Sequence, residues 1–301
     1  MEHKDTSIRI KDQEKSKLIN SDDKLKKLKS DYFIQKLFDY IYKRKSLEII
    51  KYNKSLQKRM NISINNYKEY SEIYSIIEIE IKPMKNKYGR FINVGENEKE
   101  YYHIYYNDNK KEEIKSTYLY ENDKVSKINI IIDYQVTSFK ELFYGCKCIE
   151  SIYFKKFYRN NITDMSGMFF GCSSLKELNL NNFNTNNVLD MSDMFNGCSS
   201  LKELNLNSFD TNNVANMSTM FNGCSSLKEL NLNNFNIINV TNMRWIFGGC
   251  SSLNELNLNN FNTNNIIDMY GMFSKCSDEL KLKIKSKYKI FKEEAFEDDY
   301  Y

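Results

Sequence analysis

The chain has 301 residues, with 44 Lys and Arg against 40 Asp and Glu and a formal net charge of +4. That length holds two domains or one elongated array, and 41% hydrophobic with 28% charged residues excludes a wholly disordered chain. Pro occurs once, Gly ten times and Ala only at Ala215 and Ala295, beside heavy use of Asn, Lys, Ile and Tyr, a codon bias that makes the small basic excess poor evidence for a nucleic-acid partner.

Residues 1–22 read as a disordered polar tail without the apolar core of about 7–15 residues that a signal peptide needs. No stretch approaches the roughly 18 consecutive apolar residues of a membrane span, so the expected compartment is cytoplasmic. Residues 1–60 carry 17 Lys and Arg against 9 Asp and Glu, which reads as a solvated tail and helix faces. An acidic partner or anionic surface is the alternative for that excess.

Residues 23–72 are expected to be helical: Leu28, Phe33, Ile34, Leu37, Phe38, Ile41, Leu47, Ile50 and Leu56 form apolar stripes between Lys-rich faces. The run from Leu28 through Asp31-Tyr32-Phe33-Ile34 to Ile50 is distantly similar to an F-box. That family couples such helices to leucine-rich repeats in substrate adaptors of ubiquitin ligases. Lys29 stands where the family usually has Pro, and the usual downstream Trp is missing. The plainer reading is an amphipathic cap over the first repeats.

Residues 73–127 predict a small β-rich cap module. Ile77, Ile79 and Ile81 alternate, as do Tyr102, Ile104 and Tyr106, while Phe91 and Val94 mark a shorter strand. The last strand, Ile128–Ile132, is expected to join the sheet of the repeats that follow. Tyr101, Tyr102, Tyr105 and Tyr106 offer either an aromatic ligand surface or cross-strand packing.

From 128 to 286 the sequence repeats. Cys146, Cys172, Cys198, Cys224, Cys250 and Cys276 lie 26 residues apart without a slip. One unit, Cys172 to Gly197, places Cys172, Leu175, Leu178, Leu180, Phe183, Val188, Met191, Met194 and Phe195 in apolar slots, and the next unit repeats them. Leu178-x-Leu180 has strand alternation, and Met191-x-x-Met194-Phe195 has the spacing of a short helix or 3₁₀ turn. Asp190, Asn216, Asn242 and Asp268 are expected N-caps, and Gly171, Gly197, Gly223 and Gly249 suit a positive φ at the far end. Stacked strands are expected to form one parallel sheet of six or seven strands, roughly 30 Å long.

The string C-S-S-L-K-E-L-N-L-x-x-F-x-T-x-N-V-x-x-M-S-x-M-F-x-G resembles the BspA-like leucine-rich repeat surface proteins, and most closely their 26-residue Met-x-x-Met-Phe subclass. The resemblance implies an α/β leucine-rich-repeat solenoid: right-handed, with a parallel sheet on its concave face and short helical or 3₁₀ turns on the other. It also implies surface recognition or adhesion as an alternative function and the cell surface as an alternative location. At the far end, Glu279 to Ile284 reads as a closing strand with a Lys-rich outer face. Lys285 to Phe296 then reads as an amphipathic helix, so that 287–301 form a C-terminal helix and acidic tail.

On the strand face away from the core, Glu177, Glu203, Glu229 and Glu255 fall in register. Asn179, Asn205, Asn231 and Asn257 do the same, as do Asn181, Asn207, Asn233 and Asn259. These columns are the candidate partner-binding face, an acidic and amide-rich groove for a protein segment or a glycan; the alternative is a solvated face filled by duplication. Trp245, the one tryptophan, occupies a slot held elsewhere by Gly167, Asp193, Thr219 and Gly271, which is expected to face outward. With Arg244 beside it, it is a candidate contact hot spot. The Cys and Met columns read as core filler rather than metal ligands, because Cys146-x-Cys148 is the only close pair and neither His3 nor His103 lies in the array. No cofactor, metal or catalytic motif is expected. The sequence therefore reads as a monomeric, non-enzymatic scaffold that recognises a protein partner.

Overall fold

The computed structural model describes residues 53–59, 75–133 and 136–298. The chain divides into two units, Met1–Tyr74 and Ser75–Tyr301. In the first unit one helix is described, α1 (Lys54–Arg59), whose leading turn is closed by the Asn53 side chain accepting from the Leu56 amide at 3.1 Å. The polar tail, the other expected helices and the F-box-like segment lie outside the described residues.

The second unit opens with β1 (Ile77–Pro83), β2 (Gly89–Arg90), β3 (Tyr102–Tyr106), β4 (Tyr118–Leu119) and β5 (Ile128–Ile132). Strict alternation buries Ile77, Ile79 and Ile81 of β1 with Ile128, Ile130 and Ile132 of β5 on one side of the sheet. The strand of the first repeat, β6 (Ile149–Lys156), and that of the second, β7 (Glu177–Asn179), complete a five-stranded sheet in the order β3-β5-β1-β6-β7. All pairs are antiparallel except β6–β7, which is parallel. β5 joins the sheet of the first repeats, but through β1: β1 meets the first repeat, and β5 lies between β1 and β3. Ile79 faces Ile130 on one side and Phe154 on the other, so β1 with its two-sided apolar register is the better bridge.

Beyond β7 the 26-residue units lie side by side. On the strand side, β8 (Glu229–Asn231) and β9 (Glu255–Asn257) pair in parallel, Leu230 opposite Leu256. The corresponding Glu203-Leu204-Asn205 segment forms no strand, so the expected unbroken sheet is interrupted there. Side chains hold that unit instead: Ser208 Oγ donates to the Leu180 carbonyl at 2.8 Å, and Asn234 Nδ2 to the Leu206 carbonyl at 3.0 Å.

The opposite, turn side carries an unbroken ladder. Parallel bridges run Ser138, Asp164, Asp190, Asn216, Asn242 and Asp268, one unit to the next. Within a unit the amides alternate in what they do. Met191, Asp193, Phe195 and Gly197 donate to Asn216, Ser218, Met220 and Asn222 of the next unit at 2.7–3.0 Å. Met194, Asn196 and Cys198 instead close local turns, onto Met191, Asp193 and Phe195 three residues earlier. In place of the expected short helix or 3₁₀ turn there is a run of β-turns with left-handed backbone at Asp193. A helix consumes every amide along its own axis and leaves none to hold a neighbour. Likewise Asp190 is not a helix cap; its Oδ1 accepts from the Ser192 amide, two residues on, at 2.8 Å. The glycine that ends each run does adopt positive φ, and at Gly249 a Cβ would approach the backbone nitrogen of Gly223 to 3.3 Å.

Identical side chains stack in the core. Phe143, Phe169, Phe195, Phe221, Phe247 and Phe273 form a ladder with centroids 5.6–5.9 Å apart and rings within 16° of parallel. Thr185 and Thr211 are buried polar members of the stack. Each hydroxyl donates to a carbonyl of the following unit and accepts an amide from the same residue, Asp210 or Asn236, at 2.7–2.9 Å.

The far end differs from expectation. Residues 279–284 belong to a helix, α2 (Asp278–Lys287), capped by Ser277, whose side chain accepts from the Leu280 amide. A strand would put Leu280, Leu282 and Ile284 on one face, whereas the helix buries Leu280 and Ile284 at i, i+4 and leaves Leu282 67% exposed. The expected helix over 285–296 is thus only the end of α2 followed by a 3₁₀ turn, Glu293–Phe296.

The threonine column yields a stability test. Thr211→Val keeps the shape of the side chain but strands the amide and carbonyl of Asn236. The expected loss is about 1–3 kcal/mol in urea unfolding, without loss of the fold, because Ile237 already fills the equivalent slot of the next unit.

Candidate functional site

The strand face of the later repeats opens into a cavity of about 840 Å³. Its floor is the backbone at Leu204, Leu206, Leu230 and Leu256, whose side chains belong to the core beneath, at most 9% exposed. Glu203, Glu229 and Glu255 border it in one row, and Asn205, Asn231 and Asn257 in the next. One residue alternation separates the rows, because residues i and i+2 share a strand face. The structure therefore brings the predicted residues of these three repeats together. Glu177 and Asn179 continue the columns beyond the cavity, next to β6. Asn207 and Asn233 line the cavity, while Asn181 and Asn259 flank it on exposed positions.

Charge pairing divides the sheet face into two halves. Towards β1 every carboxylate has a partner: Glu78 binds Lys156 at 2.5 Å, Glu80 binds Lys155, and Glu150 lies 2.8 Å from Lys82 and 3.1 Å from Lys176. The Lys82 ammonium, followed by Lys176, holds the Glu150 carboxyl below its ordinary range. Glu177 accepts from the Tyr153 hydroxyl, and that bond raises the tyrosine's pKa. Glu203, Glu229 and Glu255 make no ion pair and no side-chain hydrogen bond among the described residues. Three in-register carboxylates on adjacent units repel one another.

The asparagine row has a fixed polarity. Asn179, Asn205, Asn231 and Asn257 each accept from the backbone amide two residues on, all at 3.0 Å. Engaging Oδ1 turns the Nδ2 group outward, which settles the amide orientation from the hydrogen bond itself. Asn205 passes a donor to Asn181 at 3.3 Å, whereas Nδ2 of Asn231 and Asn257 has no acceptor among the described residues. A row of acceptors thus runs beside a row of donors.

The end wall of the cavity is α2, which contributes Lys283, Lys287 and the following Tyr288. Lys283 is 2.6 Å from Glu279 on its own helix, and Lys287 lies 5.0 Å from the Tyr288 ring centre. The Tyr288 hydroxyl accepts from the Leu258 amide at 3.1 Å and donates to Asn259 Oδ1 at 3.2 Å. This wall escaped the sequence reading because Leu280-x-Leu282-x-Ile284 alternates like a strand. The i, i+4 pair of lysines, four residues apart as Leu280 and Ile284 are, was the signal that a helix carries them.

Arg244 and Trp245 sit on the turn side, away from this cavity. Trp245 is half-buried rather than outward, with φ 56°. Its slot is left-handed in every unit, at Glu141, Gly167, Asp193, Thr219, Trp245 and Gly271. The indole lies where side chains of its neighbours would stand: a Cβ on Gly248 or on Gly271 would come within 2.8 Å of it. Arg244 is half-exposed, stacks 4.7 Å from the Tyr270 ring centre and lies 3.8 Å from Asp268. The indole thus packs across Gly248 and Gly271 while staying partly exposed.

All seven cysteines are free and buried. Cys172, Cys198, Cys224, Cys250 and Cys276 each donate to the carbonyl of a ladder phenylalanine 29 residues earlier, at 3.0–3.2 Å. Desolvation raises the thiols of Cys172, Cys224 and Cys276 to about 12. Among the described residues no group of three ligating side chains is gathered for a metal ion, and no helix is long and apolar enough to cross a membrane. Tyr102 and Tyr106 do not form a ligand surface: Tyr102 is buried, and Tyr106 packs edge-on against Phe91, 6.2 Å between centroids.

A family model described as "Mycoplasma protein of unknown function, DUF285" matches residues 137–230 and, overlapping, 202–295, together just over half of the chain. No curated protein and no solved structure matches.

The thiols set an alkaline limit on stability. In the unfolded chain they ionise near their ordinary value of 9, while in the fold they hold their protons to about 12. The unfolded state then binds fewer protons, so stability falls as pH rises from 9 towards 12. Urea midpoints measured across that window decline, and alkylation at pH 8 labels no cysteine until denaturant is added. For the tryptophan, Trp245→Ala is expected to cost about 1–3 kcal/mol, less than the 3–5 of a fully buried ring. An unchanged urea midpoint would return Trp245 to the surface as a free anchor.

Proposed function

The chain belongs to the DUF285 family, and on the geometry of its repeats we propose that it is a non-enzymatic recognition scaffold. Its 26-residue units are read as a right-handed leucine-rich-repeat solenoid of the BspA-like kind, with the strand face concave. The proposed role is to bind a protein partner across Glu203, Glu229, Glu255 and the neighbouring asparagines. The observation that carries this reading is the row of three carboxylates without partners, bordering a cavity on the strand face. Side chains on the same face nearer β1 satisfy one another, so that half has little left to offer a ligand.

Repeated identical groups suit extended recognition better than catalysis, because a reaction centre needs unlike groups converging on one point. The resemblance of the repeat string to surface-displayed BspA-like proteins supports cell-surface recognition as the second reading. Surface labelling of intact cells distinguishes it from an internal scaffold.

The test inverts the charge of the row. A chain carrying Glu203→Lys, Glu229→Lys and Glu255→Lys together is expected to keep its urea midpoint, since all three residues are exposed. Its capture of partners, measured by quantitative cross-linking against the unaltered chain, is expected to fall by about tenfold or more. Undiminished capture would remove the strand face from the proposal.

A further inference from the structure

The groove is polar in a directional way. One side presents carboxylates, at Glu203, Glu229 and Glu255, while its end wall presents ammonium groups, at Lys283 and Lys287. Between them the outward Nδ2 groups of Asn231 and Asn257 ask for acceptors, because their oxygens are already engaged by Asn233 and Asn259. A neutral or uniformly charged ligand satisfies only one part of this arrangement. A cationic ligand alone meets the wall with like charge, and an anionic one alone meets the row of glutamates with like charge.

From this juxtaposition we propose that the groove binds an extended basic peptide by its carboxyl terminus. The terminal carboxylate lies against Lys283 and Lys287, backbone carbonyls take the Asn231 and Asn257 donors, and Lys or Arg side chains lie over the glutamate row. The proposal rests on the recognition role assigned above to the strand face and adds the class and orientation of the ligand. Three features favour a chain terminus over an internal segment. The helix closes the groove at one end, the positive charge is confined to that end, and Tyr288 is held there by the Leu258 amide. An internal segment has to continue past the wall and leaves the lysines facing an uncharged backbone. Lys283 shares its charge with Glu279, which leaves Lys287 as the principal carboxylate partner.

The full chain is titrated by fluorescence anisotropy with three labelled octapeptides. One alternates Lys and Ser and ends in a free carboxylate, one is the same peptide amidated at its C-terminus, and one replaces each Lys by Glu. The basic free-acid peptide is expected to bind, amidation to weaken it about tenfold, and the acidic peptide to fail. Lys287→Ala is expected to erase the difference between free acid and amide, and Glu229→Gln to weaken both alike. Equal affinity for free acid and amide, both lost on Glu229→Lys, overturns terminal recognition and leaves the strand-face reading standing. Failure of both basic peptides overturns the inference as well, and the cross-linking of the charge-inverted chain then judges the strand face separately. Tighter binding of the acidic peptide overturns both.

Discussion

The alternation of amides on the turn side is the constraint on which the rest of the structure depends. Every second N–H from Met191 to Gly197 leaves its own unit and ends on a carbonyl 25 residues later. That sharing fixes both the spacing and the register of adjacent units, so equivalent residues must stack directly on one another. It also demands left-handed backbone twice per run, at the Asp193 slot and at the closing glycine. Where units share hydrogen bonds this way, a period of 26 residues cannot slip by one without undoing the whole row.

Register turns every choice of residue into a column, and a column amplifies what the residue does. Phenylalanine gains a parallel neighbour above and below. Cysteine finds a carbonyl at the same place in each unit, and burial there keeps its proton on sulphur. Threonine forms reciprocal bonds in two consecutive units, and isoleucine can replace it in a third because the slot is otherwise apolar. Charge is the exception. A buried column of like charge is prohibitive, so Glu203, Glu229 and Glu255 can only stand on an open face. Close to β1 the same face is neutralised by lysines, and the change from paired to unpaired carboxylates coincides with the start of the cavity.

Much of this was legible in the sequence. The nine apolar slots of each unit are the buried ones, and the glutamate and asparagine columns lie on one face as their spacing requires. What was not legible came from patterns that serve two geometries. Met-x-x-Met-Phe has helical spacing, yet a chain of β-turns has the same short repeat and also frees amides for the neighbour. Leu280, Leu282 and Ile284 satisfy both a strand and, through the first and last alone, a helix; the Ser277 cap decided between them. The Gly, Asp and Thr that share the slot of Trp245 read as exposure, whereas the slot is at most half-exposed. Gly and Asp are equally the residues that tolerate left-handed backbone, which is what the slot demands. The insertion of β1 beside the first repeat was invisible because strand partners in antiparallel sheets leave no local mark in sequence.

A stack held by shared amides has to end somewhere, and its last unit exposes donors that a further repeat would have taken. The C-terminal segment supplies the missing acceptors: Glu294 and Ala295 carbonyls receive the Gly271 and Phe273 amides at 2.8 Å, and Phe296 lies 5.2 Å from Phe273 as the next ring of the ladder. On the strand side the Tyr288 hydroxyl receives the Leu258 amide, and Lys281 anchors the tail through Asp298 at 2.8 Å. Closing the ladder therefore positions α2 in the same register that it terminates. Because α2 is also the end wall of the groove, the lysines of the wall stand at a fixed offset from the glutamate row. The geometry that ends the fold is in this way the geometry that gives the groove a direction.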